Sequence, residues 1–509
     1  MSKVSRRVAL GTIGVGAIAV AGYQLRGEAE SLPRRPAAST GKNPVSRENR
    51  SAGSQEWRVG QGGTRAADDK DIQIQGYASA TSVGLGESIG FHLSAHRAQE
   101  CTVAIYRVGH YGGDGARHLL TSEPVQVEPH ERPVPDPETG LIACDWPVAW
   151  TLDVPETWIS GIYLAVFTSG NGFRSHTPFV VRDTERRSDL LMVLPFTTYQ
   201  AYNLWPFDGR TGKNLYKGYT SAGEIGGNEE RAFRVSFDRP YVDTGAPRWF
   251  EMDTATARWA EEAGYDITYA SSVDLHEGRI DPGAYTAVVF SGHDEYWSKE
   301  MRDCAEEAVA AGTHLAFLAS NNIYFHIRVE PSADGREGRV VTCYKEAPDP
   351  EPGAAGPTVR WRKLAKKRRK AEQGLLGVQY NGILAEPAPL VVRESGHWFW
   401  KGTGLRDGDG IPGLVGVEAD GFDPSMPRPA DSEQTLLAAS PYKDSWGRGR
   451  REQNTSLCQN TEGTLVFVAG TFHWPLALNE PDHFNPLVRR ATRNLVEKML
   501  EPRRRVRGA

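Results

Sequence analysis

Ala287-Val288-Val289-Phe290-Ser291-Gly292-His293-Asp294-Glu295-Tyr296-Trp297 is an apolar, strand-length run that gives way at once to an imidazole and two carboxylates. A polar cluster at the carboxyl end of a strand is where α/β proteins keep their chemistry. The helix expected next is legible: Ser298 can cap it, Met301, Cys304, Ala305, Ala308 and Val309 form an apolar stripe, and Gly312 can stop it. A second strand, His314 to Ala319, ends in Ser320-Asn321-Asn322. Strands joined by a crossover helix deliver their ends to the same edge of a parallel sheet, so Glu295 and Asn321 are expected to be neighbours.

Other strand ends fit the same scheme. The buried-type run Leu190 to Leu194 opens into Phe196-Thr197-Thr198-Tyr199-Gln200-Ala201-Tyr202-Asn203, and Ile267 to Tyr269 opens into Ser271-Ser272-Val273-Asp274. Near the C-terminus a strand, Thr464 to Ala469, leads through Gly470-Thr471-Phe472-His473-Trp474 to an amphipathic helix carrying Leu487, Ala491, Leu495 and Met499. An α/β domain with a parallel sheet is therefore expected over residues 188–500.

With 509 residues the chain exceeds one ordinary core, and 39% hydrophobic with 24% charged residues is the composition of a globular protein. A net charge of -5 gives no general nucleic-acid signal. The first 30 residues read as a targeting segment: Ser5-Arg6-Arg7-Val8-Ala9-Leu10 is close to a twin-arginine signal, and the apolar stretch Val8 to Ala21 is short for a membrane span. Export to the periplasm, cell surface or medium is expected, with Ala19-Val20-Ala21 as a cleavage candidate and no stable transmembrane span. Residues 31–70 read as a disordered polar linker. From 71 to 183, short alternating segments (Ile72 to Tyr77, Ser88 to Ser94, Cys101 to Val108, Ile162 to Thr168, Thr177 to Val181) suggest an immunoglobulin-like β-sandwich. The basic insertion at 348–373 reads as a solvated helix face. Cys101, Cys144, Cys304, Cys343 and Cys458 lack metal-knuckle spacing, which argues against thiolate zinc and leaves room for one or two disulfides. His110, in a Gly-rich turn without a following helix, reads as a turn residue.

The turn His293 to Trp297, with Thr198 to Asn203, Tyr106 to Gly113, Ser236-Phe237-Asp238-Arg239-Pro240-Tyr241 and Cys343-Tyr344-Lys345, resembles the large-subunit family of N,N-dimethylformamidase over roughly Asp71 to Leu500. The resemblance implies a β-sandwich followed by an α/β domain like that of class I glutamine amidotransferases, without their cysteine nucleophile. It further implies a mononuclear Fe(III) centre bound by two tyrosinates and a glutamate, hydrolysing a small amide. Glu295 matches the carboxylate ligand; Tyr202 and Tyr216 are the chosen phenolates, with Tyr199 and Tyr241 as competitors. His293 and Asn321 would hydrogen-bond the reacting water or oxyanion, Glu418 would act as general base supported by Asp409, and Lys345 would protonate the leaving amine or neutralise charge. A small partner subunit or a homo-oligomer is left open.

The residue types suit that chemistry. A hard trivalent cation prefers oxygen ligands and can hold a phenol ionised far below its usual pKa of about 10. A bound metal can also lower the pKa of water from about 15.7 to about 7 and polarise a carbonyl. Plainer readings stand beside these: His293 as a hydrogen-bonded structural residue, Asn321 as a turn cap, the tyrosines as core aromatics with satisfied hydroxyls, and His473 as a pocket-lining residue. Two other functions stay open, a non-catalytic cell-surface or carbohydrate-binding protein on a degenerate scaffold, and a metal-independent hydrolase using His293 and Glu418.

Overall fold

The computed structural model describes residues 43–364 and 370–502, so the expected signal segment at 1–30 lies outside the described residues. The described residues fall within one compact unit, Ser39–Ala509. The chain is rich in β-structure, arranged in several sheets with few long helices.

Two sheets face each other in the N-terminal part. Phe173–Arg182, Gly161–Ser169, Gln99–Val108 and Ala116–Thr121 lie side by side in one, and Gln75–Ala78, Ser88–Ser94 and Val148–Asp153 form the other. Phe91, Leu93, Val103, Ile105, Phe167 and Phe179 fill the space between them. The outer face of the larger sheet is buried as well, because Tyr106, Val108, Leu164 and Val166 belong to the same apolar cluster as Leu190 and Met192. That double burial explains why Ile162 to Phe167 is apolar at every position instead of alternating.

The second large sheet contains β1 (Leu190–Leu194), β2 (Ile267–Ser271), β3 (Ala287–Phe290), β4 (His314–Phe317), β5 (Ser432–Lys443), β6 (Arg450–Asn460) and β7 (Leu465–Val468). Their spatial order is β2-β1-β3-β4-β7-β6-β5. Pairing is parallel from β2 through β7 and antiparallel from β7 to β6 and β5. Each parallel strand ends at the same edge, which is what gathers their polar termini. α1 (Phe196–Tyr202) follows β1, α2 (Phe250–Glu262) precedes β2, α3 (Lys299–Ala310) joins β3 to β4, and α4 (Pro486–Met499) closes the chain. Ser298 caps α3 by accepting from the Met301 amide, as its place in the sequence predicts.

Three expectations need correction. Residues 43–70 are not a disordered linker: Asn43 caps a helical turn, Pro44–Glu48, Val45 is buried, and Arg65–Ala66 pairs with Phe173–Arg174. Polar side chains here tie the segment to the rest of the protein: Asn49 donates to Glu261 (2.7 Å) and Glu48 accepts from Tyr111 and Arg117. The described part of the basic insertion presents no long helix face; Trp361 is buried in a single tight turn, while Arg362 pairs with Glu372 and Lys370 with Asp303 and Glu306. All five cysteines are free, four of them buried. Among the described residues, no helix is long and apolar enough to cross a membrane.

Candidate active site

Beyond β3 the chain makes a tight loop whose every turn is held by a neighbour. Ser291 donates to Asp253, and a Cβ at position 292 would stand 2.7 Å from that carboxylate, so only glycine fits there. Glu295 is clamped on both sides: its amide donates to the Thr198 hydroxyl (3.0 Å), and its carbonyl accepts from the Tyr324 and Phe325 amides, each at 2.9 Å. Thr198 belongs to α1, which ends in Tyr202. Asn214 then ties the next loop to that helix end by donating to the Tyr202 carbonyl (2.8 Å) while accepting from the amides of Tyr216 and Lys217. Behind it, the buried guanidinium of Arg239 donates to the Asn203 and Lys213 carbonyls.

The result brings two phenols onto one carboxylate. The Tyr202 hydroxyl donates to Glu295 Oε2 at 2.6 Å, the Tyr216 hydroxyl donates to Oε1, and the two phenolic oxygens are 3.0 Å apart. Their rings stack with centroids 4.6 Å apart. The competitors are elsewhere: Tyr199 donates to Asp253 at 2.5 Å, and Tyr241 packs edge-on against Tyr199. Burial, then the Glu295 charge, drives both cluster phenols well above the ordinary tyrosine range, so without a cation they are neutral donors. Burial also works against ionisation of Glu295. The His293 hydrogen bond and charge, with Lys345 and Tyr202, more than offset it and leave the carboxyl below its ordinary range.

His293 and Asn321 join this cluster to a second carboxylate. His293 Nε2 is 3.2 Å from Glu295 Oε2, 3.8 Å from Glu418 Oε2 and 3.3 Å from Asn321 Nδ2. That single nitrogen either donates to a carboxylate or accepts from the amide, so its tautomer decides which link is made. Asn321 Nδ2 also donates to Glu418 Oε2 at 2.8 Å. Glu295 and Asn321 are thus brought into one site with His293 between them. Burial, followed by the Glu295 charge, raises Glu418 to about 8, and burial lowers His293. Lys345 is buried with its ammonium 3.2 Å from the centre of the Tyr216 ring, and desolvation pulls it down to about 7.

Asp409 does not support Glu418. It is exposed in a turn, accepting from the Arg406 amide, because the strand Gly410–Val415 lies between it and the site. Asp420 is the carboxylate beside Glu418, and it accepts from the Asn321 amide at 2.8 Å. His473 also stays outside the cluster, bonded to the Gly413 carbonyl, although its neighbour Phe472 packs on the His293 ring. His110 sits in its turn with its amide on Asn49.

Sequence reasoning missed Arg248, Trp249, Asp253 and Asp420. Trp249 meets His293 edge-on at 4.9 Å, and Arg248 lies over the Trp249 and Tyr202 rings. Trp249, Asn321, Ile323, Lys345 and Val417 all adopt positive φ, a costly conformation for non-glycine residues that gathers around functional sites.

Among the described residues no three His, Cys, Asp or Glu side chains gather to hold a metal ion. The candidate set depends on its phenols: Tyr202, Tyr216 and Glu295 present hard oxygens to one point, a donor chemistry that fits a hard trivalent cation.

The sequence pattern of the family described as N,N-dimethylformamidase beta subunit-like, C-terminal, matches residues 102–486. The N,N-dimethylformamidase beta subunit of Paracoccus aminophilus is 28% identical over 203 residues, covering 37% of this chain and 26% of that protein. Among solved structures, superoxide reductase (neelaredoxin) from Ignicoccus hospitalis gives a TM-score of 0.14 at 9% identity, covering 25% of this chain and 89% of that one. Cycloisomaltooligosaccharide glucanotransferase from Paenibacillus sp. gives 0.16 at 10% identity, covering 79% and 72%. At those scores neither structure bears on fold or site.

Proposed function

The chain belongs to the N,N-dimethylformamidase beta subunit-like family, and from that premise we propose that it hydrolyses the C–N bond of a small amide, with Tyr202, Tyr216 and Glu295 holding a mononuclear ferric ion. The observation that carries this reading is the convergence of two phenols on a single buried carboxylate. When bound, the ion would supply Lewis acidity toward the amide carbonyl and acidify water.

The chain's own groups would do the rest. Glu418, whose Oε2 accepts from Asn321 Nδ2 at 2.8 Å and stands 3.8 Å from His293 Nε2, would take a proton from the attacking water. Asn321 Nδ2 and His293 Nε2, in the neutral tautomer that carries its hydrogen there, would donate to the oxyanion that develops. Lys345, buried with its ammonium over the Tyr216 ring, would protonate the departing amine. Water is consumed, the C–N bond breaks, and a carboxylic acid and an amine leave.

The same proposal extends to fold type, export and assembly. The facing sheets suit an immunoglobulin-like sandwich, and the parallel strand order suits an α/β domain of class I glutamine amidotransferase type. Arg6-Arg7 and the apolar stretch behind them favour export through the twin-arginine route, which carries folded proteins. Similarity to a protein named as a beta subunit favours assembly with a further subunit or a second copy.

Elemental analysis of natively purified protein, beside a Glu295→Ala variant, tests the proposal. Near-stoichiometric iron that is lost in the variant, with visible ferric–phenolate absorption, is the expected result. Folded wild-type protein that holds no iron and takes none up would overturn it.

A further inference from the structure

We propose that Asp420 is a positioning residue for the reaction, holding the backbone of Asn321 so that the side-chain amide of that residue is aimed at Glu418 and at the oxyanion; this rests on the hydrolase reading above. Asn321 is gripped at both ends. Its backbone N–H donates to Asp420 Oδ1 at 2.8 Å, and its side-chain Nδ2 donates to Glu418 Oε2 at 2.8 Å. Glu418 and Asp420 stand two apart on the strand Glu418–Gly421, so their side chains leave the same face and reach one residue together.

Asn321 needs such a grip because its own backbone supplies none. It lies between β4, which ends at Phe317, and the strand that begins at Phe325, with φ at 59°, a left-handed conformation that asparagine visits more readily than most residues but still at a cost. The strand that carries the clamp is itself moored to the ends of its neighbours. Ser320 Oγ donates to the Glu418 carbonyl at 2.8 Å, and the Asp420 amide donates to the Gly470 carbonyl at 3.1 Å, just past β7. From this fixed backbone the Asn321 side chain reaches Glu418 and also comes within 3.3 Å of His293 Nε2. Asp420 thus sets two of the groups assigned to the reaction, from two separate parts of the chain, at one distance from each other.

Packing alone would not call for a carboxyl at this position. Asp420 is fully buried, its Oδ2 has no hydrogen-bond partner in the protein, and among the described residues no ion pair offsets it. Burying a carboxyl without a cation is costly, and here it pushes the group up to about 7. A leucine would fill the same space without that cost, yet it would strand the Asn321 amide and release the turn. The work done through Oδ1 accounts for the expense: a side chain of this length ending in oxygen spans from the strand to the Asn321 amide.

The test compares iron-loaded wild type with Asp420→Ala, which removes the acceptor, and Asp420→Asn, which keeps an oxygen facing the Asn321 amide, on formamide, acetamide and N,N-dimethylformamide. Asp420→Ala is expected to lower kcat about 100-fold with KM and iron content unchanged, the effect of a small misplacement of a reacting group, while Asp420→Asn stays within about fivefold of wild type. If Asp420→Ala does not fold, Asp420→Ser takes its place, its hydroxyl being too short to reach the amide. Wild-type kcat without the acceptor, a loss carried by KM, or an equal loss in Asp420→Asn overturns the role. If wild type hydrolyses none of the amides, the hydrolase reading is what has failed, and the clamp is then read in metal-free protein labelled with 15N-histidine. The ring signals of His293, assigned with His293→Gln, should move in Asp420→Ala and keep their wild-type positions in Asp420→Asn; any other pattern overturns the clamp.

Discussion

Glu295 serves five groups at once, accepting from two phenols through its oxygens, facing His293 Nε2, and having its own backbone clamped by Thr198 and Tyr324. Tyr202→Phe or Tyr216→Phe should therefore leave the stacked rings in place yet abolish iron binding and visible colour, with melting temperature in the metal-free state shifting by only a few degrees; elemental analysis and thermal unfolding check this together. Proton release should accompany iron loading, because the phenols are protonated without it, so apparent affinity should rise with pH when measured in a weakly chelating buffer. Asp253 makes a second pH-dependent case. Burial lifts it to about 7 despite donors from Ser291 and Tyr199, so the folded state keeps a proton that the unfolded chain has lost above about pH 4. This group's contribution to stability must then fall as pH rises from about 4 to about 7, by at most ~1.4 kcal/mol per pH unit. Urea unfolding at both ends of that window should show Asp253→Asn gaining on wild type as pH rises; the opposite trend would mean that the carboxylate is ionised. His293, Glu295 and Asn321 were legible because a strand end is a position that patterning can locate. Arg248 and Trp249 were not, since they sit in an irregular loop with Trp249 in the left-handed region, where neither period nor spacing speaks.

Elements with a strong apolar signal emerged where the sequence placed them. Leu190–Leu194 and Ala287–Phe290 match residue for residue, and α3 begins at its expected cap. Ser298→Ala should cost about 1 kcal/mol in urea-monitored stability by stranding the Met301 amide. The long hairpin of β5 and β6 went unseen because polar residues fill much of Ser432–Lys443 and most of Arg450–Asn460, including the buried run Gln453-Asn454-Thr455-Ser456, and the two strands are held by pairing along their length. The segment between α1 and α2 was illegible for another reason. Its backbone is held by side chains, Asn214 and Arg239 among them, rather than by a repeating pattern. Asp409, assigned through the family resemblance, falls outside the site because the strand Gly410–Val415 separates it from Glu418.

On the scale of the whole molecule, the sandwich and the parallel sheet share one apolar cluster and a buried ion pair. Arg107, on the sandwich strand Gln99–Val108, donates twice to Glu261 of α2 (2.7 and 3.0 Å), and Tyr269 of β2 donates to the same carboxylate. Arg107→Met would leave Glu261 charged and buried without its cation, at a cost of about 3–5 kcal/mol. Calorimetry should show that loss as a lower melting temperature within a single transition; two separated transitions would contradict the continuous core. Composition suggested separate halves because both faces of Ile162 to Phe167 being buried is a fact about a neighbour, which one strand's sequence cannot identify. A shared core of this kind leaves no hinge between the halves. Swinging one half away from the other would have to open that apolar cluster and strand the Arg107–Glu261 pair, so neither half can act as a lid over the site.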